Sequence, residues 1–456
     1  MLDLALTGQV LFWLLVILAF AMSGQASLYH PLTMYLGFHA LVFIARPILV
    51  HWFAFDSMWR YLGFEPTTEY FIRGLLVSSL ALLVFAMTSI ACGWSAAKFP
   101  VTPPAPFTRP EVTALLIVTG LLLPIIARSI IAGFSGAATG ERVGGTYILT
   151  GASGYTVEAQ YMLGPLICAW LAVTRFRWPM LLLVGAYLGY RSYGGWSRWT
   201  ILLSFTAISL IYAWQRRIKW PPVRILILAI PLLVMFNALG HNRDYVQQLL
   251  RGETAVRTGV APGVSSMEKF RGEYDGPDFA NFDFLTFVTA VVPDQTGTFT
   301  YGSQYLQLLT EPIPRKLWAG KPIGAPVSFF DLNQYGNFTG MTVTLAGDGW
   351  LSGGWVGLIL TLGIAGAILG WLHRRFWKHA QENYASILYL VGLAMIPQWY
   401  RDGGISIAKF LFWNLFPLVL WKAVIWAANG CHVPAYSVWL CPGTRVRLVK
   451  SSAPTR

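Results

Sequence analysis

Gly74-Leu-Leu-Val-Ser-Ser-Leu-Ala-Leu-Leu-Val-Phe-Ala-Met-Thr-Ser-Ile-Ala-Cys92 runs for 19 residues without a charged side chain. As a helix rising about 1.5 Å per residue, it would cross the roughly 30 Å hydrocarbon core of a bilayer. Lipid offers no water to satisfy a backbone, so a helix is the form such a run must take. Similar runs lie at 8–23, 32–52, 73–94, 112–132, 157–174, 178–190, 199–214, 225–240, 352–372, 384–399 and 406–428, which predicts an all-α polytopic membrane protein of about 11 transmembrane helices. The composition agrees: 55% of the 456 residues are hydrophobic and only 12% are charged. Without internal repeats or a soluble segment of its own, the chain reads as a single membrane domain, 1–456.

Charge sets the expected orientation. Arg175 and Arg177, the stretch Arg216, Arg217, Lys219 and Arg224, the patch Arg374, Arg375 and Lys378, and the tail 429–456 with Arg445, Arg447, Lys450 and Arg456 agree on one arrangement under the positive-inside rule. The N-terminus then lies outside and the basic tail is cytoplasmic. The 241–351 segment becomes a large extracytoplasmic loop, and its balance fits, with eight Lys/Arg against eleven Asp/Glu. The first apolar run lacks a basic leader and a small-residue cleavage site, so it is expected to remain as a span. The net charge of +13 suits topology and anionic lipid headgroups, and no nucleic-acid motif accompanies it. Cys92, Cys168, Cys431 and Cys441 fall in spans or on the cytoplasmic side, which argues against an outer disulfide framework.

A segment as long as 241–351 is seldom a passive connection. Within it, the aromatic and apolar alternation of 281–292 and the Ser303 to Leu309 piece read as short interfacial helices forming a lid. Arg46, Arg128, Arg191, Arg198 and Arg401 fall at or near the outer ends of spans. A cation there is expensive unless it meets a wet hollow or a partner, and guanidinium forks match phosphate oxygens. Arg46, Arg128, Arg198 and Arg401 are therefore expected either to share an anionic ligand or to reach the lipid headgroups separately.

The most specific stretch is Tyr301-Gly-Ser-Gln-Tyr-Leu-Gln-Leu-Leu-Thr-Glu-Pro-Ile-Pro-Arg-Lys-Leu-Trp-Ala-Gly-Lys-Pro322. Pro314 and Pro322 stiffen the chain around Arg315, Lys316 and Lys321, and Trp318 offers a flat face between the cations. Fixed cations beside an aromatic plane suit a sugar ring linked to phosphate.

Here the chain resembles the oligosaccharide repeat unit polymerases, the Wzy-type O-antigen polymerases. Their pattern Pro-Arg-x-x-Trp-x-x-Lys-Pro is matched by Pro314, Arg315, Trp318, Lys321 and Pro322. Gly347-Asp348-Gly349-Trp350, with Gly353, Gly354 and Gly357, is similar to the family's glycine-rich approach to a late span, although Asp348 stands where Glu is usual. Arg401-Asp402 and Gly195-Trp196-Ser197-Arg198 are two further similar stretches.

The resemblance implies a GT-C-like glycosyltransferase of the bacterial inner membrane, working on its outer face. Undecaprenyl-diphosphate-linked glycans would be its substrates, membrane lipids its surroundings and a chain-length regulator its companion. Joined to the reading of the residues themselves, it makes Arg46, Arg128, Arg198, Arg315, Lys321 and Arg401 the expected diphosphate-binding residues and Trp318 the expected sugar-stacking one. Arginines can stabilise a departing diphosphate without metal, so no cofactor is expected, with Asp275 and Asp278 left open as a cation pair. Deprotonation of the attacking hydroxyl needs a base. Asp348, Asp402, Glu273 and His241 are the candidates, with Asp348 and Asp402 preferred and an ion-pair role for each as the alternative. Two other functions remain open: an O-antigen ligase, which would share the donor, and a lipid-linked glycan flippase, against which stands the scarcity of acidic residues within the spans.

Overall fold

The computed structural model describes residues 1–94, 104–134, 140–143, 146–149, 154–193, 198–222, 271, 275–276, 279–314, 317–322, 324–338, 341–380 and 382–430. The chain begins with α1 (Leu2–Met22), then α2 (Pro31–His39), which runs through a wider π-turn at Ala40–Ala45 into α3 (Arg46–Phe53). Next come α4 (Ser57–Leu62), α5 (Thr68–Gly93) and α6 (Arg109–Phe134). A hairpin of β1 (Gly140–Val143) and β2 (Thr146–Leu149) pairs Gly140 with Leu149 in antiparallel register. Then follow α7 (Gly154–Glu158), α8 (Leu163–Val173), α9 (Trp178–Tyr193) and α10 (Arg198–Gln215). Beyond them lie α11 (Asn281–Val291), α12 (Gln307–Thr310), α13 (Thr344–Lys378), α14 (Asn383–Ala394), α15 (Ile396–Asp402) and α16 (Gly404–Gly430).

Local chemistry sets several helix starts. The His30 ring accepts the Leu32 N–H ahead of Pro31, and Thr67 accepts the Tyr70 N–H. Glu111 reaches back over the start of α6, its Oε2 accepting both the Thr108 N–H at 2.7 Å and the Thr108 hydroxyl at 2.8 Å, which is one half of a capping box.

Seven helices among the described residues are long and apolar enough to cross a membrane: Leu2–Met22, Pro31–Phe53, Thr68–Gly93, Arg109–Ala132, Gly154–Val173, Thr344–Lys378 and Gly404–Ala428. Each coincides with an expected span. Their outward faces carry Leu15, Leu121, Leu360 and Ile364, each more than half exposed, as lipid-facing surfaces do and water-facing ones do not. The fold is thus that of a polytopic helical membrane protein.

The other four expected spans are not among these seven. The run 225–240 lies outside the described residues. The 178–190 and 199–214 runs are helices of 16 and 18 residues. The 384–399 run is broken at Met395, where Pro397 removes a backbone donor and α15 starts afresh.

The spine of the molecule is α5 against α13. Gly366 and Gly370, four residues apart, let the two backbones touch: a Cβ on Gly366 would lie 2.8 Å from the Phe85 carbonyl oxygen, and one on Gly370 2.9 Å from the Gly93 nitrogen. Small residues at this spacing are what close helix approach in lipid requires. Gly370→Val should therefore separate the pair and lower the detergent-solubilised thermal midpoint markedly, whereas Gly120→Val, with open space around its Cβ position, should not; equal melting of the two would refute the contact.

The long segment departs from expectation. Every residue of α11 is buried, and it packs between α5 and α13. It is a core helix, not an interfacial lid. A helix apolar nearly all round has no wet face to keep at a surface, so burial is its stable solution. The Ser303–Leu306 turn and α12, in contrast, contain no buried residue, as a surface element should.

Candidate functional site at the Arg401 end

α13 begins with a reversal. Gly353 and Gly354 leave helical geometry (φ 166°, ψ 40° and φ 58°, ψ −134°), so the stretch from Thr344 to Ser352 folds back against the span that follows. The two arms meet where Gly349 would place a Cβ 2.8 Å from the Leu358 Cα. This fold-back carries Asp348 into the protein, 3% exposed.

Opposite it, α15 ends at Arg401-Asp402 and the chain turns through Gly403, at φ +83°, into α16. Asp348 Oδ2 accepts the Gly404 N–H, and a Cβ on Gly403 would sit 2.9 Å from the Asp348 carboxyl carbon. A carboxylate held at the positive end of a long helix is stabilised by the unpaired N–H groups there. Asp348 therefore caps α16; its Oδ1 accepts no hydrogen bond among the described residues.

Tyr305 covers this joint. Its ring would lie 2.8 Å from a Cβ on Gly404. Burial, and after it the Asp348 carboxylate, push the Tyr305 hydroxyl's pKa up, so it stays protonated. Beside it, Gln304 Nε2 donates to Ser352 Oγ at 2.9 Å and to the Asp348 carbonyl at 3.5 Å. On the other flank Arg401 Nη1 pairs with Asp402 Oδ1 at 3.2 Å, and Gln398 Nε2 donates to Asp402 Oδ2. Asn281 Nδ2, from the first turn of α11, donates to Thr342 Oγ1 at 2.7 Å and reaches the Arg401 carbonyl at 3.4 Å.

So Asp348, Arg401 and Asp402, taken from two distant stretches of sequence, share one joint. Arg46 does not belong to it as expected. Its Nε donates to Asp283 Oδ2 at 2.9 Å, its Nη1 to Asp275 Oδ1 at 2.8 Å, and its Nη2 to the Phe55 carbonyl at 3.2 Å and to Asp283. Every nitrogen is spent, at 1% exposure, so Arg46 is a buried clamp and not a grip for a ligand. Asp275 is likewise occupied, since its Oδ2 accepts the Ser57 N–H at 2.9 Å, which removes it from the suggested cation pair. Asp278, Glu273 and His241 lie outside the described residues. Among the described residues no group of His, Cys, Asp and Glu could hold a metal ion.

The remaining expected positions scatter. Arg128 is exposed on α6, next to Ser129, whose hydroxyl donates to the Val157 carbonyl. Arg198 opens α10, but its side chain lies outside the described residues, as does Arg315. Lys321 Nζ donates to the carbonyls of Glu311 at 3.0 Å and Ile313 at 3.3 Å, with the Glu311 carboxylate at 3.6 Å, so it braces its own loop. Trp318 is 37% exposed. The Tyr155 hydroxyl donates to the Glu311 carbonyl, tying that loop to α7.

Four participants escaped the sequence reading: Asp283, Asn281, Gln398 and Gln304. Asp283 had a signal, an acid inside an otherwise apolar helix, which in a membrane protein marks a partner or a function. The amides had none. A second cluster lies nearby, where Arg191 Nη1 and the Tyr190 hydroxyl both donate to Gln160 Oε1, at 3.0 and 2.7 Å, with the Arg191 guanidinium 5.3 Å over the Tyr161 ring. Tyr161 meets Phe410 of α16 edge-on, so this cluster abuts the same helix. Compared with protein-family models, with curated proteins and with solved structures, the chain matches none.

Proposed function

We propose that the protein is a glycosyltransferase that polymerises undecaprenyl-diphosphate-linked oligosaccharide repeat units on the outer face of a bacterial inner membrane. One observation carries this reading. The resemblance rests on separate stretches of sequence, and two of them, Gly347 to Gly357 and Arg401-Asp402, meet at the Asp348–Gly404 contact. The Pro314 to Pro322 pattern follows on from a turn whose Gln304 and Tyr305 touch the same joint. Residues scattered through a chain seldom converge on one end of a bundle without a shared task.

In this reading Arg401 stabilises the charge that gathers on the diphosphate as it leaves, with Arg315 from the loop as its companion. Asp348, fixed through Oδ2, presents Oδ1 to the hydroxyl that attacks the anomeric carbon. Trp318 offers a stacking face for a sugar. The GT-C-like architecture and the orientation with this end outward belong to the same proposal.

A lipid-linked glycan flippase is the second reading, favoured by the buried Arg46–Asp283–Asp275 group. Asp283, at 0% exposure, is a buried carboxylate paired to arginine, a feature that ion-coupled carriers also use. Deleting the gene and running surface polysaccharide on a gel separates the two. A polymerase mutant should display single repeats, a flippase mutant none; a ligase mutant would keep polymer but lose it from the lipid A core, and an unchanged ladder would reject all three.

A further inference from the structure

Three carboxamides surround the joint, and all three are used in the same one-sided way. Gln398 donates its amide hydrogens to the Asp402 carboxylate, Asn281 to Thr342 Oγ1 and the Arg401 carbonyl, and Gln304 to Ser352 Oγ and the Asp348 carbonyl. Carboxylate and carbonyl partners can only accept, so each amide's orientation is fixed and its oxygen points the other way. Those oxygens, Gln398 Oε1, Asn281 Oδ1 and Gln304 Oε1, are buried and find no hydrogen-bond partner among the described residues. Gln398 and Asn281 are themselves 4% and 0% exposed.

A buried amide oxygen without a donor is costly, of order 1–3 kcal/mol, and three around one joint call for something that donates. A metal cation is a poor answer at a joint that already holds the Arg401 guanidinium. A polyhydroxyl ligand fits: each O–H supplies one donor, and no net charge is added. We infer that these three amide oxygens form a sugar-hydroxyl subsite beside Arg401, which orients the glycan once its diphosphate is held; this rests on the proposed function. The Ser303–Leu306 turn, which has no buried residue and is tied down through Gln304 and Tyr305, is the surface element of this joint.

The test uses the full chain in nanodiscs and two probes, undecaprenyl diphosphate alone and undecaprenyl diphosphate carrying N-acetylglucosamine. Gln398→Lys and Gln304→Lys keep a donor for Asp402 and for Ser352 but delete the amide oxygen. Wild type should prefer the sugar-bearing lipid, and each variant should lose roughly two- to tenfold of that preference, the worth of one hydrogen bond. Bare undecaprenyl diphosphate should bind the variants no more weakly than wild type. Gln304 sits on the surface turn, so its variant remains informative even if Gln398→Lys fails to fold. Retention of the full preference by Gln304→Lys, or no preference in wild type, would overturn the subsite while leaving diphosphate recognition intact. Binding of neither lipid by wild type would overturn the functional reading and the subsite with it.

Discussion

Arg46→Ala should unfold or trap the protein rather than weaken a ligand. The substitution strands Asp283, at 0% exposure, and Asp275, at 7%, without the guanidinium that neutralises them. Removing one partner of a buried ion pair costs about 3–5 kcal/mol, a large share of what holds a domain together. Fluorescence-detected size exclusion after heating is a suitable readout, and the midpoint should collapse. Arg46→Met combined with Asp283→Leu and Asp275→Asn should recover most of the loss, because all three buried charges then disappear while the Asp275→Asn amide oxygen can still accept the Ser57 N–H. If Arg46→Ala melted like wild type yet lost activity, the clamp would be wrong and the original expectation of a phosphate grip would return.

Arg401→Ala is expected to do the reverse: the fold survives and the product vanishes. Asp402 keeps the Gln398 N–H, so losing its Arg401 partner should cost about 1–3 kcal/mol. Deleting a preorganised donor to a developing oxyanion costs about 100- to 1000-fold in rate. Polymer should therefore disappear from the gel at normal protein level in the membrane. Arg401→Lys should recover little, since an ammonium supplies a point charge where two parallel N–H groups are needed. Full activity in the lysine variant would remove the phosphate fork from the mechanism.

The contrast between these two arginines shows where sequence reading stops. Both lie near span ends and both drew the same expectation. What separates them is Asp283, 237 residues from Arg46 in the chain and within hydrogen-bond reach in the fold. The acid was visible in the sequence as a charge in an apolar helix, but its partner was not, since pairing across that separation depends on how α11 packs.

The sequence by itself determined the class of protein. Seven of the expected spans exist as long apolar helices because bilayer thickness fixes the length and hydrogen-bond satisfaction fixes the conformation, and both are local properties of a run such as Gly74 to Cys92. It also singled out Asp348, Arg401 and Asp402 as residues of interest. Only the tertiary structure decided that these three share a joint, that Arg46 is spent on carboxylates, and that 281–291 lies in the core. Those facts depend on the Gly353-Gly354 reversal and on close backbone contacts at glycines, where neighbours distant in the chain decide which polar atom meets which.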